Sequence, residues 1–299
     1  MSRSKGFSLV ELAVALAIIA LLLAGALIPL STQIDVRNGA DTQRSMESIK
    51  DAIIGFAQAN GRLPCPADGS LPAGAVGAGT EQVSGNSCTA VNSASCTAVN
   101  GAIPCSVVPW ATLGVPETDA WGRRFTYRVS QVFADGFAAS TWSTTNPAPQ
   151  NPACNPNPTP TSPTSFALCT LGNIAVWTRG GTTTTAAQLG TALPAVIISH
   201  GKNGFGAWQA NGTRLNPIPV GNDEAANANG NTQATPQPSP PGYASWAFYS
   251  RTRAPAAAGC VDPAPGFTNA APPCEFDDIV VMITSNTLIA RMVAAGRLP

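Results

Sequence analysis

The sequence predicts an α+β fold: a long N-terminal helix packed on an antiparallel β-sheet with long loops, followed by a short C-terminal helix. Three observations predict it. Residues 7–30 are an apolar run, residues 34–60 carry apolar side chains at helical spacing, and short strand-like runs then alternate with proline- and glycine-rich tracts.

The apolar run comes first. Leu12 to Leu30 is nineteen residues without a charge, close to the ~20 that cross a bilayer as a helix. Arg3 and Lys5 precede it, which predicts a cytoplasmic N-terminus and export of the rest of the chain. An ordinary secretory signal, cleaved at Ala24-Gly25-Ala26, is the alternative. Two features oppose it. Glu11 lies inside the run, and a carboxylate there costs about 2.5–3.5 kcal/mol on insertion scales. A signal peptide also has no reason to lead into more helix, yet after Pro29 the pattern continues. Met46, Ile49, Ile53 and Phe56 recur at intervals of three and four, with Asp41, Arg44, Glu47, Lys50 and Asp51 between them. The segment "NGRLPCP" at 60–66 ends the helix.

Strands are expected in 123–133, 173–178, 195–200, 245–250 and 277–284. In the first, Phe125, Tyr127 and Val129 share one side. Tracts 146–165, 180–187 and 216–242 read as irregular, because proline removes donors and glycine weakens strands. A final helix from Asn286 to Ala295 is expected to take Ser285 as N-cap and Gly296 as its stop. The sheet should bury one face against the Met46–Phe56 stripe.

Charged residues make up 11% of the chain and the formal net charge is zero. Such a chain has no general electrostatic pull on nucleic acid, and none is expected as a partner. A stripe built from Arg123, Arg124 and Arg128, or from Arg251 and Arg253, would be needed to reverse that expectation. The eight cysteines, Cys65, Cys88, Cys96, Cys105, Cys154, Cys169, Cys260 and Cys274, include no Cys-x-x-Cys pair, and His200 is the sole histidine. Disulfides in an oxidising compartment fit better than zinc. The repeat "SCTAVN" at 87–92 and 95–100 suggests Cys88 with Cys96. The flanks "LPCP" and "IPCS" suggest Cys65 with Cys105, and proximity suggests Cys154–Cys169 and Cys260–Cys274.

No catalytic constellation is present. Ser199 and His200 are adjacent, so on a strand they point to opposite faces, and no Gly-x-Ser-x-Gly elbow accompanies them. The glycines of "HGKNGFG" at 200–206 lack a Gly-Lys-Ser/Thr ending. The chain is not expected to be an enzyme.

The stretch "KGFSLVELAVALAII" at 5–19 resembles the N-terminal cleavage and methylation motif of type IV pilins and type II secretion pseudopilins. The resemblance implies a leader of residues 1–6, cut by prepilin peptidase between Gly6 and Phe7 and followed by N-methylation of Phe7. Residues 7–30 would then be a transmembrane and filament-core helix, residues 31–60 its amphipathic continuation, and 61–299 a β-rich periplasmic or extracellular domain. It implies a single-pass protein of the bacterial inner membrane whose partners are prepilin peptidase, other pilin or pseudopilin subunits and the inner-membrane assembly platform. Glu11 would serve filament assembly, neutralising the new Phe7 amine of a neighbour, whose reference pKa is about 7.7–8.0. A carboxylate snorkelling to the headgroups is the alternative. The length and polar loops suggest a minor subunit. A secreted hydrolase or binding protein, and a DNA-uptake pilin, are competing functions.

Two further stretches resemble this family. "ETDAWGRRFTY" at 117–127 is similar to the Asp-x-Trp-Gly segment ahead of a pseudopilin strand, with Asp119 bonding turn amides, Trp121 anchoring the core and Gly122 at positive φ. "ISHGKNGFGAW" at 198–208 and "EFDDIVV" at 275–281 resemble, more loosely, the region framing a calcium loop in major pseudopilins. A structural calcium at Asp277 and Asp278, with Asp223 and Glu224 as further carboxylates, is what that implies. Strand-start carboxylates that cap backbone amides are the alternative, and no other cofactor is expected.

Overall fold

The computed structural model describes residues 8–85, 87–88, 106–136, 164–179, 187–215, 221–232, 246–262 and 271–298. The chain divides into two units, residues 1–41 and 42–299. Residues 146–163 of the expected irregular tract 146–165, residues 180–186 of the tract 180–187 and most of the "SCTAVN" repeat fall outside the described residues.

Helix α1 runs from Leu9 to Asn60, continuous across Pro29. In the first unit Leu9, Val10, Leu12, Val14, Leu16, Ile18 and Ile19 are all at least half exposed. The side chains of residues 21–32 lie outside the described set, so the expected membrane run is described only in part. Among the described residues no helix is long and apolar enough to cross a membrane.

In the second unit the buried stripe of α1 is Thr42, Met46, Ile49, Ile53 and Ala57. The expected Phe56 is half-exposed instead, with the Arg62 guanidinium 5.3 Å from its ring centroid. The spacing explains the difference: from Ile53 a four-residue step to Ala57 keeps the stripe centred on a 3.6-residue period, while Phe56 drifts to its edge.

Eleven strands are described: β1 (Ala67–Asp68), β2 (Val83–Ser84), β3 (Ser87–Cys88), β4 (Ser106–Val107), β5 (Thr126–Val129), β6 (Ile174–Thr178), β7 (Ala187–Leu193), β8 (Ala195–Ser199), β9 (Asn231–Thr232), β10 (Trp246–Tyr249) and β11 (Ile279–Ile283). The main sheet has the order β1-β4-β5-β8-β11 and is antiparallel throughout. The sequence pattern predicts one such sheet for all the strands, and here the structure differs. β6 and β10 leave it for a second sheet, β7-β6-β10-β9, in which they pair in parallel, Ile174 opposite Trp246. A parallel pair needs a long crossover, and nothing in either local pattern announces a partner seventy positions away.

The two sheets explain the unbroken apolar run of β8. Its Ala195 and Ile197 face Met46, Ile49 and Ile53 of α1, alongside Phe125, Tyr127, Val281 and Ile283. Its Val196 and Ile198 face the second sheet, packing with Ile174, Val176, Leu193 and Phe248. A strand covered on both sides has no reason to alternate. The expected strand 123–133 is shorter than its pattern. Ser130 donates its amide to Pro194 O, and residues 131–134 turn into the short helix α3 (Gln131–Ala134). A similar turn, α2 (Trp110–Leu113), follows β4.

Two helices correct the sequence reading. α4 (Asn222–Asn229) forms inside tract 216–242, which reads as irregular. At its end α5 (Ser285–Ala294) is capped by Thr284, whose side chain accepts from the Thr287 amide, and not by Ser285. The Ser285 hydroxyl donates to Ala192 O. Gly296, at φ +67°, and Arg297 close the helix by donating to Val293 O and Met292 O. Thr284→Ala is expected to lower stability by about 1 kcal/mol in urea denaturation.

Candidate functional site

At the start of α1 the described residues hold a reciprocal cap. The Ser8 amide donates to Glu11 Oε2 at 2.9 Å, and the Glu11 amide donates to Ser8 Oγ at 3.3 Å. This is the Ser-x-x-Glu capping box, which satisfies two backbone donors that the helix leaves open. The signal is present in the sequence as "SLVE", and a reading of Glu11 purely as a charge passes over it. Gly6 and Phe7, the expected cleavage pair, lie outside the described residues.

Cys260 and Cys274 pair as expected, whereas Cys65 and Cys88 pair differently from the expectation. Cys65 joins Cys88, and this replaces both the Cys65–Cys105 and Cys88–Cys96 pairings. The reason lies in α3: Asp135 accepts the Cys88 amide at 2.9 Å, and Cys65 Sγ stands 3.9 Å from the neighbouring Ala134 O. A tertiary contact, not the eight-residue repeat, decides which thiols meet. Cys260 joins Cys274 across fourteen residues, and Cys169 is disulfide-bonded as well. Cys96, Cys105 and Cys154 lie outside the described residues.

The Asp-x-Trp-Gly segment builds a turn. Asp119 Oδ1 accepts from the amides of Trp121 and Arg123, both at 2.9 Å, and Gly122 sits at φ +78°. Asp119 Oδ2 accepts the Ser199 hydroxyl at 2.6 Å, while His200 Nε2 lies 2.8 Å from Thr126 Oγ1. Ser199 and His200 thus serve separate partners. The five arginines form no open stripe. Arg124 is fully buried, paired with Glu117 at 2.6 Å and donating to the carbonyls of Gly69, Leu71 and Ala210. Arg251 is equally enclosed, with 2% of its side chain exposed.

The acidic residues divide into two groups. The structure brings Glu224, on the first turn of α4, together with Asp277 and Asp278, ahead of β11, one carboxylate oxygen of each lying within 4.8 Å of those of the other two. Asp223 does not join them, which corrects its place in the expected ligand set. Its neighbour on the helix faces inward, whereas Asp223 turns to Arg179, whose Nε and Nη2 donate to it at 2.7 and 2.8 Å. Arg251 approaches the same carboxylate at 3.3 Å.

Within the triad, Glu224 accepts from the Asp277 amide and the Asn203 side chain. Asp277 accepts the Asn203 amide, and Asp278 accepts the Asn227 side chain. Gly201, at φ +55°, lets the "HGKNG" loop close over them; a Cβ there would fall 2.4 Å from Asp277 O. Burial, then the charges of Asp278 and Asp277, push Glu224 up to about 8, and burial raises Asp277 also. One oxygen, Asp277 Oδ1, is buried with no hydrogen-bond partner. Three carboxylates with an unanswered oxygen are a hard-donor set that suits a divalent cation.

The family model of the prokaryotic N-terminal methylation motif matches residues 1–27. No curated protein and no solved structure matches the chain. Over residues 1–27 the chain therefore carries the methylation motif that is the signature of type IV pilins and pseudopilins.

Proposed function

We propose that the chain is a minor pilin or pseudopilin, a structural subunit rather than an enzyme. Prepilin peptidase removes residues 1–6 and methylates Phe7. The helix from Phe7 is held in the bacterial inner membrane, with the N-terminus cytoplasmic and the C-terminal domain periplasmic, until an assembly platform moves it into a pilus or pseudopilus of like subunits. The observation that carries this reading is the methylation motif over residues 1–27. The row of exposed apolar side chains from Leu9 to Ile19 supports it, since that surface needs lipid or neighbouring helices to cover it.

Mature protein recovered from cells with the peptidase should begin at methylated Phe7. A start near Leu27 would identify a cleaved secretory signal and sink the proposal.

Glu11 has two roles to separate, because it caps α1 as well as carrying charge. Glu11→Ala removes both, and Glu11→Gln keeps the capping oxygen while removing the charge. Both variants are expected to be processed, and both to fall at least tenfold in incorporation into sheared filaments. A lost cap alone costs about 1 kcal/mol and would spare Glu11→Gln. Normal assembly of Glu11→Gln would leave the cap as the whole function of this residue.

A structural calcium at Glu224, Asp277 and Asp278 is a second reading, supported by the unanswered Asp277 Oδ1.

A further inference from the structure

The chain fixes the start of α1 to a single residue. Ahead of Leu9 stand three serines, Ser2, Ser4 and Ser8, and only Ser8 has Glu or Gln three residues on. Only that position can make a capping box, and the structure uses it. The Glu11 amide donates to Ser8 Oγ and the Ser8 amide to Glu11 Oε2. The Leu12 amide donates to Ser8 O at 3.2 Å, and α1 begins at Leu9.

That boundary matters for a bond two residues upstream. A helical amide donates to the carbonyl four residues back, so a helix begun two residues earlier would set the Val10 amide on the Gly6 carbonyl. Hydrolysis of the Gly6–Phe7 bond needs that carbonyl carbon. Water adds to it, the bond to the Phe7 nitrogen breaks, and the leaving amine takes the proton. A carbonyl engaged inside a helical turn is shielded from the attacking water and from any donor of the enzyme. An N-cap residue lies outside helical φ/ψ and so ends the ladder. Beside lipid, where water does not satisfy open amides, the cap holds more firmly than in bulk water.

We infer that Ser8 is a positioning residue for prepilin peptidase, stopping α1 short of the bond to be cut. The inference rests on the proposed processing between Gly6 and Phe7. Ser8 does not touch the reacting atoms. It sets the fraction of chains whose cleavage site is open, and that fraction enters KM rather than kcat. Glu11 is secondary in this role, because Glu11→Ala leaves Ser8 Oγ on the amide of residue 11 and the bond stays cleavable.

The test is cleavage of the full-length chain in detergent by purified prepilin peptidase, with Ser8 replaced in turn by Ala, Asn and Gly. Alanine is the poorest cap of the three and the best helix former. Ser8→Ala is expected to raise KM by up to about fivefold with kcat unchanged. Asparagine caps as well as serine, and glycine nearly so, which should keep both variants within about twofold of wild type. Equal slowing by all three would mean that the peptidase reads the hydroxyl itself, and wild-type kinetics for Ser8→Ala would make the boundary of α1 immaterial; either result overturns the inference. A wild-type chain that is not cut at all removes the proposed function, and the inference with it. Carbon-13 Cα shifts of uncleaved chains in the same detergent check the cause. Residues 6 and 7 should give non-helical values in wild type and move toward helical ones in Ser8→Ala. Helical values in wild type sink the inference whether or not the variant can be made.

Discussion

Asp223→Ala is expected to destabilise the folded domain by about 3–5 kcal/mol, read as a fall in the denaturation midpoint of the full chain. The size follows from what the substitution strands. Asp223 is wholly buried, and the side chains of Arg179 and Arg251 facing it are each 2% exposed. Arg179 grips the carboxylate with two parallel bonds, the geometry for which guanidinium is suited. Arg251 stands between Asp223 and Asp262, donating to Cys274 O, while Asp262 accepts the Cys274 amide. The Cys260–Cys274 disulfide closes the loop that carries Asp262. Removing Asp223 therefore leaves two enclosed guanidinium groups to share one carboxylate. Asp223→Asn keeps an acceptor and should cost less than Asp223→Ala. The double change Arg179→Met with Asp223→Leu removes both charges and should be milder than either single truncation, because the penalty lies in the unpaired partner and not in the loss of the pair. A ΔΔG under 1 kcal/mol for Asp223→Ala would mean that water reaches the site.

This network shows why part of the fold is legible in sequence and part is not. The Met46–Ile53 stripe can be read because α1 buries one face only, and a single buried face prints the helical period on the chain. β8 can be read as a strand, though not why it fails to alternate, since the second sheet that covers its other face is assembled from distant segments. α4 cannot be read. Its Asn- and Ala-rich sequence has little intrinsic signal, and its place is set by tertiary bonds: Asp223 to Arg179, and Asn227 to the backbone of Tyr249. β7, with the sequence "AQLGTAL", has Thr191 as its one β-branched residue and no aromatic, too little to mark a strand, and is held by pairing with β6.

The candidate sites divide in the same way. The methylation motif is local and contiguous, so it can be read directly. Asp277 and Asp278 are visible as a pair, but which acid of "NDE" joins them is not. Adjacent residues on a helix diverge by about 100°, so Asp223 and Glu224 have to face different partners. Only the packing of α4 decides which one turns inward to the pair.

That choice makes stability depend on pH in a direction opposite to the usual carboxylate. In chelator, wild-type stability is expected to fall as pH rises from about 4.5 to 8. Glu224 is pushed from its ordinary value of 4.5 up to about 8 in the folded chain. Through that window the folded state therefore keeps a proton that the unfolded state has released. When the folded state binds more protons, stability declines with pH, at most by about 1.4 kcal/mol per unit for one group. Above pH 8 both states are ionised and the penalty is constant. Glu224→Gln carries no proton to lose and retains an oxygen for the Asp277 amide. It should match wild type near pH 4.5 and exceed it by roughly 2–4 kcal/mol at pH 9. Asp277, also raised by burial, adds a slope of the same sign in both proteins. Calcium reverses the comparison, because a cation requires the ionised carboxylates that the three acids by themselves resist. Adding it should stabilise wild type more at pH 8 than at pH 5 and should do little for Glu224→Gln. A wild-type profile in chelator that is flat from pH 5 to 8 would show that Glu224 holds no proton there, and a calcium shift equal in both proteins would place the ion elsewhere.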